Sequence, residues 1–273
     1  MKSIFNIVEE IREKGENCAL CMIVSTSGST PLKTGAKMLV TEKGELFGTI
    51  GGGNFEKKVI ENAIDLIAKQ ESGFFSHNLV QQHGMCCGGS INVYIEFIMK
   101  PEKLYIFGSG HVGRALAKLA ENLTFEVFVI DNRKKELDML TSKEVQKIPL
   151  PYNEILPHLP FDKNTYITVM TYDHQIDREI LAYCMKKDFA YLGMIGSKRK
   201  VEITRKMFLS THMFTKKEFE EIDTPMGIQI NAESPEEIAI SIMAKLIEVK
   251  NKKKKDKKIN NTNSITHLTY EDS

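Results

Sequence analysis

Apolar residues in the first hundred positions follow two spacings, one helical and one typical of strands. A helix is predicted over residues 1–14, where apolar side chains return to one face. A longer helix is predicted after the glycine run that ends at Gly53, with Asn54 as its N-cap, because apolar residues recur at helical spacing from Phe55 to Ile67. Short apolar runs predict strands at 19–25, 37–41, 45–48, 74–80 and 91–98. Pro101 follows the last of these runs and marks the predicted end of a domain at residues 1–100.

From residue 101 onward, strand and helix patterns alternate. The stretch KLYIFGSGHVGRALAKLAENLTFEVFVIDNR predicts a strand, a glycine turn, a helix and a second strand. Ser234 and Glu237 have the spacing of a capping box at the start of the last helix, and Pro235 holds the favoured first helical position. The other predicted elements are a strand at 166–172, a helix at 173–186, a strand at 189–196 and a helix from 197. Such alternation favours an α/β domain over 101–250, with a parallel sheet covered on both faces.

The tail at 251–273 has few apolar residues and a dense run of lysines, so we expect it to be disordered. A lysine run is able to bind nucleic acid or a membrane surface, but the solvated end of a helix is the favoured interpretation.

Composition narrows the class of protein. The 273 residues are 42% hydrophobic and 27% charged, with a formal net charge of +1, which argues against a nucleic-acid-binding module. No apolar stretch is long enough for a transmembrane helix, and the amphipathic start does not have the form of a signal peptide. Five cysteines form no disulfide framework, so we expect a reducing, cytoplasmic compartment.

The turn GSGHVG is the most specific local motif. Gly108, Gly110 and Gly113 follow a predicted strand and open a predicted helix, and Asp131 ends the next strand. In a Rossmann fold the first of these glycines allows the tight turn, the second lets a pyrophosphate approach the backbone, and the third allows close packing of helix and strand. The acid accepts a hydrogen bond from a ribose 2′-hydroxyl. The motif therefore predicts nucleotide or pyrophosphate binding; a Rossmann turn that holds another phosphate ligand, or none, is the alternative. His111 is either a ligand contact or a loop histidine that caps the helix.

Two further glycine turns lead into predicted helices. Gly51, Gly52 and Gly53 precede the first long helix and are candidates for anion binding, against the alternative of an ordinary polar turn. At the second turn, Gly196 is followed by Ser197 and Lys198. These residues are predicted at the carboxyl edge of the parallel sheet, where ligands bind, and the alternative is the basic first turn of a solvated helix.

The segment QQHGMCCGGSIN places two adjacent thiols, Cys86 and Cys87, in a glycine-rich turn. Adjacent cysteines are poorly placed to form a disulfide with each other. Cys18 and Cys21 have C-x-x-C spacing without a second pair, so we interpret both as core residues.

Seven segments together resemble the xanthine dehydrogenase accessory factor family (XdhC/CoxI). In chain order they are TSGSTPLKTGAKMLV, GTIGGGNFE, GMCCGG, IFGSGHVG, VIDNR, GMIGSKRK and TPMGIQINAESPEEIAISI. They occur in family order within residues 20–249, and their combination is far more specific than any single motif. The resemblance implies an N-terminal XdhC/CoxI α+β domain followed by a Rossmann-like parallel-sheet domain.

The resemblance also implies a function. Members are maturation factors rather than turnover enzymes: they bind molybdenum cofactor (molybdopterin) as cargo, support its sulfuration with a cysteine desulfurase, and insert it into an apo molybdenum hydroxylase of the xanthine dehydrogenase type. A homodimer is expected, with neither membrane nor nucleic acid as partner. The family pattern places the contact with molybdenum or its sulfur on Cys87, and more weakly on Cys86.

An NAD(P)-dependent oxidoreductase that uses the GSGHVG turn is the alternative function. A nicotinamide nucleotide at the Rossmann loop is compatible with either function. No tyrosine–lysine, serine or histidine constellation for hydride chemistry is evident from the spacing, which weighs against the dehydrogenase.

Overall fold

The computed structural model describes residues 2–28, 33–78 and 89–262, with the course of the backbone alone over 253–262. The chain divides into two compact units, Met1–Pro101 and Glu102–Ser273.

The first unit is a five-stranded antiparallel sheet with a helix on each face. Its strand order is β3-β2-β1-β5-β4. Because successive residues of a strand point to opposite faces, β1 sends Ala19, Cys21 and Ile23 to the α2 side and Cys18 and Leu20 to the α1 side. In chain order the elements are α1 (Ile4–Glu13), β1 (Cys18–Gly28), β2 (Lys37–Thr41), β3 (Leu46–Gly48), α2 (Gly53–Lys69), β4 (Gly73–Asn78) and β5 (Gly89–Ile98).

The second unit is a parallel sheet between two layers of helices. Its strand order is β10-β9-β6-β7-β8, with every neighbouring pair parallel. Counted from β6, this is the 3-2-1-4-5 order of a Rossmann fold, and the order reverses between β6 and β9. The elements are β6 (Glu102–Phe107), α3 (His111–Ala120), β7 (Phe125–Ile130), α4 (Lys134–Asp138), β8 (Gln146–Ile148), α5 (Tyr152–Ile155), β9 (Thr165–Val169), α6 (His174–Cys184), β10 (Tyr191–Met194), α7 (Lys198–Ser210), α8 (Lys216–Glu220) and α9 (Pro235–Thr262). The predicted fold class is confirmed.

Two apolar layers hold the helices on the parallel sheet. On one face, Leu116 of α3 and Ile242 of α9 pack over the strand residue Ile106. On the other face, Ile180 of α6 and Phe208 of α7 pack with neighbouring strand residues. The carboxyl ends of the strands and the first turns of α3, α6 and α7 therefore lie along one edge of the sheet.

Three local differences separate the structure from the sequence predictions. The elements α4, β8, α5 and α8 were not predicted, because three to five residues are too few to show a period. The N-cap of α2 is Gly52 rather than Asn54. The last helix continues past Lys250 to Thr262, where a disordered tail was expected; lysines are good helix formers and suit the negative end of a helix. The rest of the tail, 263–273, lies outside the described residues.

Candidate ligand sites at the glycine turns

In the turn between β6 and α3, backbone conformation and packing require glycine at two positions. Gly108 has a φ of +112°, and a Cβ on it would lie 2.3 Å from the carbonyl oxygen of Met170. A Cβ on Gly113 would lie 2.0 Å from the carbonyl oxygen of Gly108. These two positions serve the tight turn and the close helix–strand packing.

Gly110 is different, because neither its backbone nor its packing requires glycine. It is the N-cap of α3 with a φ of −64°, and a Cβ built on it meets no described atom within 4 Å. The space in front of the first N–H groups of α3 is therefore open, which suits the approach of an anionic ligand. His111 is the first residue of the helix and is exposed beside this space.

Asp131 is fully buried at the end of β7 and is held by the two residues Ser109 and Arg133. Its Oδ2 accepts hydrogen bonds from the backbone N–H of Ser109 at 2.8 Å, from Ser109 Oγ at 2.9 Å and from Arg133 Nη2 at 2.7 Å. Its Oδ1 accepts from the Arg133 backbone N–H at 2.9 Å and from Nε at 3.0 Å. Burial raises the pKa of Asp131, but the hydrogen bonds from Arg133 and Ser109 outweigh it, so the pKa lies below its usual value.

The carboxylate of Asp131 therefore fixes the glycine turn from within. Both oxygens already accept hydrogen bonds, so a ribose hydroxyl would have to displace Ser109 or Arg133 to reach them. The sequence pattern predicts a role for Asp131 but not for its two partners, Ser109 and Arg133. The signal available was the serine between Gly108 and Gly110 and the arginine two positions after the acid.

Arg133 also links the loops on either side of β6. Its guanidinium carbon lies 4.4 Å from the centre of the Tyr172 ring, which follows β9. Asn132 Nδ2 donates to the Tyr172 hydroxyl at 3.3 Å. Since β7 and β9 flank β6, the guanidinium spans the edge of the sheet next to the glycine turn.

After β10, it is Lys200 and not the predicted Lys198 that lies inside the fold. Ser197 caps α7 through a hydrogen bond from the Lys200 backbone N–H at 3.3 Å, and Lys198 is exposed. Lys200 Nζ donates to the fully buried Asp177 Oδ2 at 2.6 Å and to the Ile195 carbonyl oxygen at 2.9 Å. The Lys200 side chain passes over Gly196, where a Cβ would lie 2.7 Å from Cδ of that lysine.

Asp177 joins this turn to the loop after β9. It accepts from the Thr171 backbone N–H at 2.9 Å and from Thr171 Oγ1 at 2.7 Å. His174 is 71% exposed, with Nδ1 3.9 Å from Asp177 Oδ2. Of the basic residues in this region, Lys200 is therefore engaged in the fold, while Lys198 and His174 face outward.

In the first unit, the turn before α2 is built around a carboxylate. Gly51, Gly52 and Gly53 have φ values of 126°, 79° and 67°, so all three adopt a conformation that favours glycine. Glu56 Oε2 accepts from the N–H groups of Ile50 at 3.0 Å and Gly52 at 3.1 Å, and also from the Thr49 hydroxyl.

This arrangement changes the expected chemistry of the triple-glycine turn. Burial raises the pKa of Glu56, but the hydrogen bonds from Thr49, Ile50 and Gly52 outweigh it, so its pKa lies below the usual value. An anionic ligand would meet an internal anion here. A cavity of about 610 Å³ adjoins α2 and β4, lined by Asn54, Lys57, Lys58, Glu61, Asn62, Phe75, Ser76 and His77.

The cysteines fall into two groups. Cys86 and Cys87 lie outside the described residues. Cys18 and Cys21 are fully buried and free, as predicted for core residues. Burial raises the pKa of the Cys18 thiol to about 11 and that of Cys21 to about 12, so both are protonated at neutral pH.

Within the ranges 2–28, 33–78 and 89–262, His, Cys, Asp and Glu side chains form no cluster able to hold a metal ion. Among the described helices, none combines the length and the apolar character needed to cross a membrane.

Comparison with known proteins identifies the family. Residues 104–246 match the family model described as the XdhC Rossmann domain. Residues 11–78 match the model described as the XdhC and CoxI family. The chain belongs to the XdhC family. The match at 11–78 lies in the first unit of this XdhC-family chain, and the match at 104–246 lies in the second unit.

Three similar proteins place this XdhC-family chain among known sequences and structures. It is 30% identical over 255 residues to the uncharacterized protein YqeB of Escherichia coli (strain K12), covering 91% of this chain and 46% of that protein. It is 29% identical over 160 residues to a probable xanthine dehydrogenase subunit of Bacillus subtilis (strain 168), covering 58% of this chain and 46% of that protein. The chain thus spans about half the length of the curated relatives it matches. A crystal structure described as a xanthine dehydrogenase from Bacillus halodurans superposes with a TM-score of 0.49 at 22% identity, covering 92% of this chain and 96% of that one.

Proposed function

We propose that this chain is an accessory protein that binds molybdenum cofactor and supports its sulfuration and its insertion into a xanthine dehydrogenase-type molybdenum hydroxylase. The observation that carries the proposal is the match of both XdhC family models, in order, over residues 11–78 and 104–246. The name of the Bacillus subtilis relative, which describes a probable component of xanthine dehydrogenase, supports the same class of client.

The chemistry of the cargo agrees with part of the described structure. The cofactor combines a pterin, a dithiolene-bound metal and a phosphate, and it supplies the redox centre of the client. The open space at Gly110 suits the phosphate or pyrophosphate, and so do the first N–H groups of α3, which have no partner within the helix. A thiolate is a suitable ligand for the metal or its sulfur, and the proposal assigns that role to Cys87, with Cys86 the weaker candidate.

Three partners follow from the proposal. The apo-hydroxylase receives the cofactor, a cysteine desulfurase supplies the terminal sulfur, and a second copy of the chain completes a homodimer. Each is an expectation for this chain that a pull-down or a measurement of mass in solution tests.

An NAD(P)-dependent oxidoreductase is the second candidate. The Rossmann strand order and the open space at Gly110 favour it. The five hydrogen bonds that Asp131 already accepts weigh against ordinary recognition of a ribose diol. Hydride transfer by the purified chain from a nicotinamide cofactor to an electron acceptor, without any hydroxylase present, would favour this candidate.

The proposal is tested by transfer of cofactor to a client. Protein purified from cells with an active molybdenum cofactor pathway is added to an apo-hydroxylase of the xanthine dehydrogenase type, and the gain of hydroxylase activity is followed. We expect wild type and Cys86→Ala to activate the client and Cys87→Ala to fail. Equal activation by Cys87→Ala would remove that thiol from the account, and no activation by wild type would remove the accessory function.

A further inference from the structure

β4 forms an unprotected edge of the antiparallel sheet. It pairs with β5 from Gly73 to Asn78, and among the strands that the structure describes none lies on its other side. Sheet edges commonly avoid pairing with another chain by means of charged residues, proline or a bulge. The sequence of β4, GFFSHN, contains no lysine, no acid and no proline, and its register with β5 runs without a bulge. The outward backbone groups between Gly73 and Ser76 are therefore open to a further strand.

Two aromatic residues lie uncovered beside this edge. Phe75 packs against the apolar cluster under α2, so the preceding residue, Phe74, points to the opposite face of the sheet. Phe74 is directly opposite Tyr94 of β5, and the two residues are 60% and 37% exposed. On this face α1 packs over residues of β1 and β2, farther from the edge. The edge of the sheet thus carries an apolar surface that a single chain leaves in water.

On the face that carries α2, the same edge borders a cavity of about 610 Å³. Phe75 and Ser76 line it from the strand side. Lys57 and Lys58 line it from the helix side, and Glu61 follows them one turn later toward the C-terminus of α2. The sign of the charge therefore reverses along the helix wall of this cavity.

A second copy of β4 fits this edge, because an antiparallel pair of identical strands is self-complementary. The two-fold axis stands perpendicular to the sheet, and each chain meets the other with the same residues. Both copies of α2 then lie on one face and run antiparallel, with the two cavities joined between them. The lysines of one α2 lie across from the acid of the other. This match of charge favours a second copy over an unrelated strand.

We propose that two copies of the chain pair antiparallel through β4, so that their two five-stranded sheets become one continuous sheet. Phe74 and Tyr94 of both copies meet on one face of that sheet, and the two cavities beside α2 join on the other. The proposal rests on the homodimer expected for the accessory function, to which it gives a surface. It does not depend on the cargo.

The mass of the full chain in solution, measured by light scattering, tests the surface. Wild type should have the mass of two chains and Phe74→Lys the mass of one, because pairing would bring two ammonium groups together at the edge. Ile203→Lys is the matched control: Ile203 lies on α7 and is 52% exposed, so this variant should stay dimeric. A wild type with the mass of one chain overturns the homodimer and its surface together. A dimeric Phe74→Lys overturns the surface alone.

Hydrogen exchange locates the contact without a substitution. The outward N–H groups of β4 should exchange slowly in concentrated wild type, and about tenfold faster or more after dilution to single chains. Those of β3, at the opposite edge of the sheet, should exchange equally in both samples. Fast exchange of β4 in a dimeric sample overturns the proposal. Protection of β4 that appears only when an apo-hydroxylase is added assigns the edge to that partner and also overturns it.

The molybdenum and pterin content of the same samples reports on the accessory function separately. Protein that lacks the cofactor but is dimeric through β4 would contradict the accessory function and leave this proposal standing. Protein that retains the cofactor as a single chain would do the reverse.

Discussion

Arg133 Nη2 lies 2.7 Å from Oδ2 of Asp131, and the carboxylate that it contacts is fully buried. The two residues are separated by one position in the loop after β7, yet they connect to a wider network. Asp131 also accepts a hydrogen bond from Ser109 in the glycine turn, and the guanidinium of Arg133 stacks on the ring of Tyr172 after β9. One ion pair thereby ties together three strand ends at the edge where a ligand would bind.

Asp131→Asn tests the importance of this buried charge. The asparagine amide keeps the shape of the carboxylate but lacks the negative charge that the hydrogen bonds from Arg133 and Ser109 stabilise. The free energy of unfolding should therefore fall by about 3 kcal/mol. Urea unfolding measures the change. Asp138→Asn, at an exposed position of α4, should change stability by less than about 0.5 kcal/mol. Equal effects of the two substitutions would contradict the network.

The stability difference between wild type and Asp131→Asn should depend on pH. The pKa of Asp131 in the folded state lies below its ordinary value of 3.8, so ionisation favours the folded chain. That contribution is fully present above the unfolded pKa and is lost as pH falls through the lower folded value. Unfolding of both proteins between about pH 7 and about pH 2 should show the two stabilities converging at the acid end. A constant difference would rule out the charge as its source.

Lys200 and Lys206 lie on the same helix and should respond differently to loss of charge. Lys200 pairs with the fully buried Asp177, so Lys200→Met leaves an uncompensated buried carboxylate and should cost about 3–5 kcal/mol. Lys206 is 73% exposed and 3.7 Å from Glu202, so Lys206→Met should cost less than about 1 kcal/mol. Thermal unfolding compares them. Asp177→Asn should reduce the effect of Lys200→Met, and additive effects would refute the pair.

Gly110→Ala and Gly113→Ala separate the ligand requirement from the packing requirement. At Gly113 a Cβ would lie 2.0 Å from a backbone oxygen, so alanine should cost at least about 3 kcal/mol or prevent folding. At Gly110 a Cβ meets open space, so alanine should cost less than about 1 kcal/mol. Binding of phosphate-bearing ligands should nevertheless weaken in Gly110→Ala. Undiminished binding there would show that the open space is not a ligand path.

More of the fold than of the candidate site can be predicted from the sequence. The turn GSGHVG and the capping box at Ser234 and Glu237 depend on local geometry, and both occur where the pattern predicts them; the Glu237 N–H donates to Ser234 Oγ at 3.2 Å. The short helix α4 leaves no periodic signal. Elements with local causes are therefore predictable, whereas short connecting elements follow from packing.

The site depends on which partner a polar group selects in three dimensions. Asp131 lies at the predicted strand end, but only the folded loop shows that Arg133 and Ser109 occupy its oxygens. Lys198 and Lys200 look equivalent in GMIGSKRK, but in the fold Lys200 donates to Asp177 of the neighbouring helix α6, while Lys198 is exposed. Such competition between partners is not encoded in residue type or spacing.

We propose that this chain binds molybdenum cofactor through Cys87. The most direct test is the molybdenum and pterin content of the purified chain after co-expression with the cofactor pathway, for wild type, Cys86→Ala and Cys87→Ala. Wild type and Cys86→Ala should retain molybdenum and pterin together, and Cys87→Ala, although folded, should lose both. Wild-type protein without pterin from cells that make the cofactor would contradict the claim.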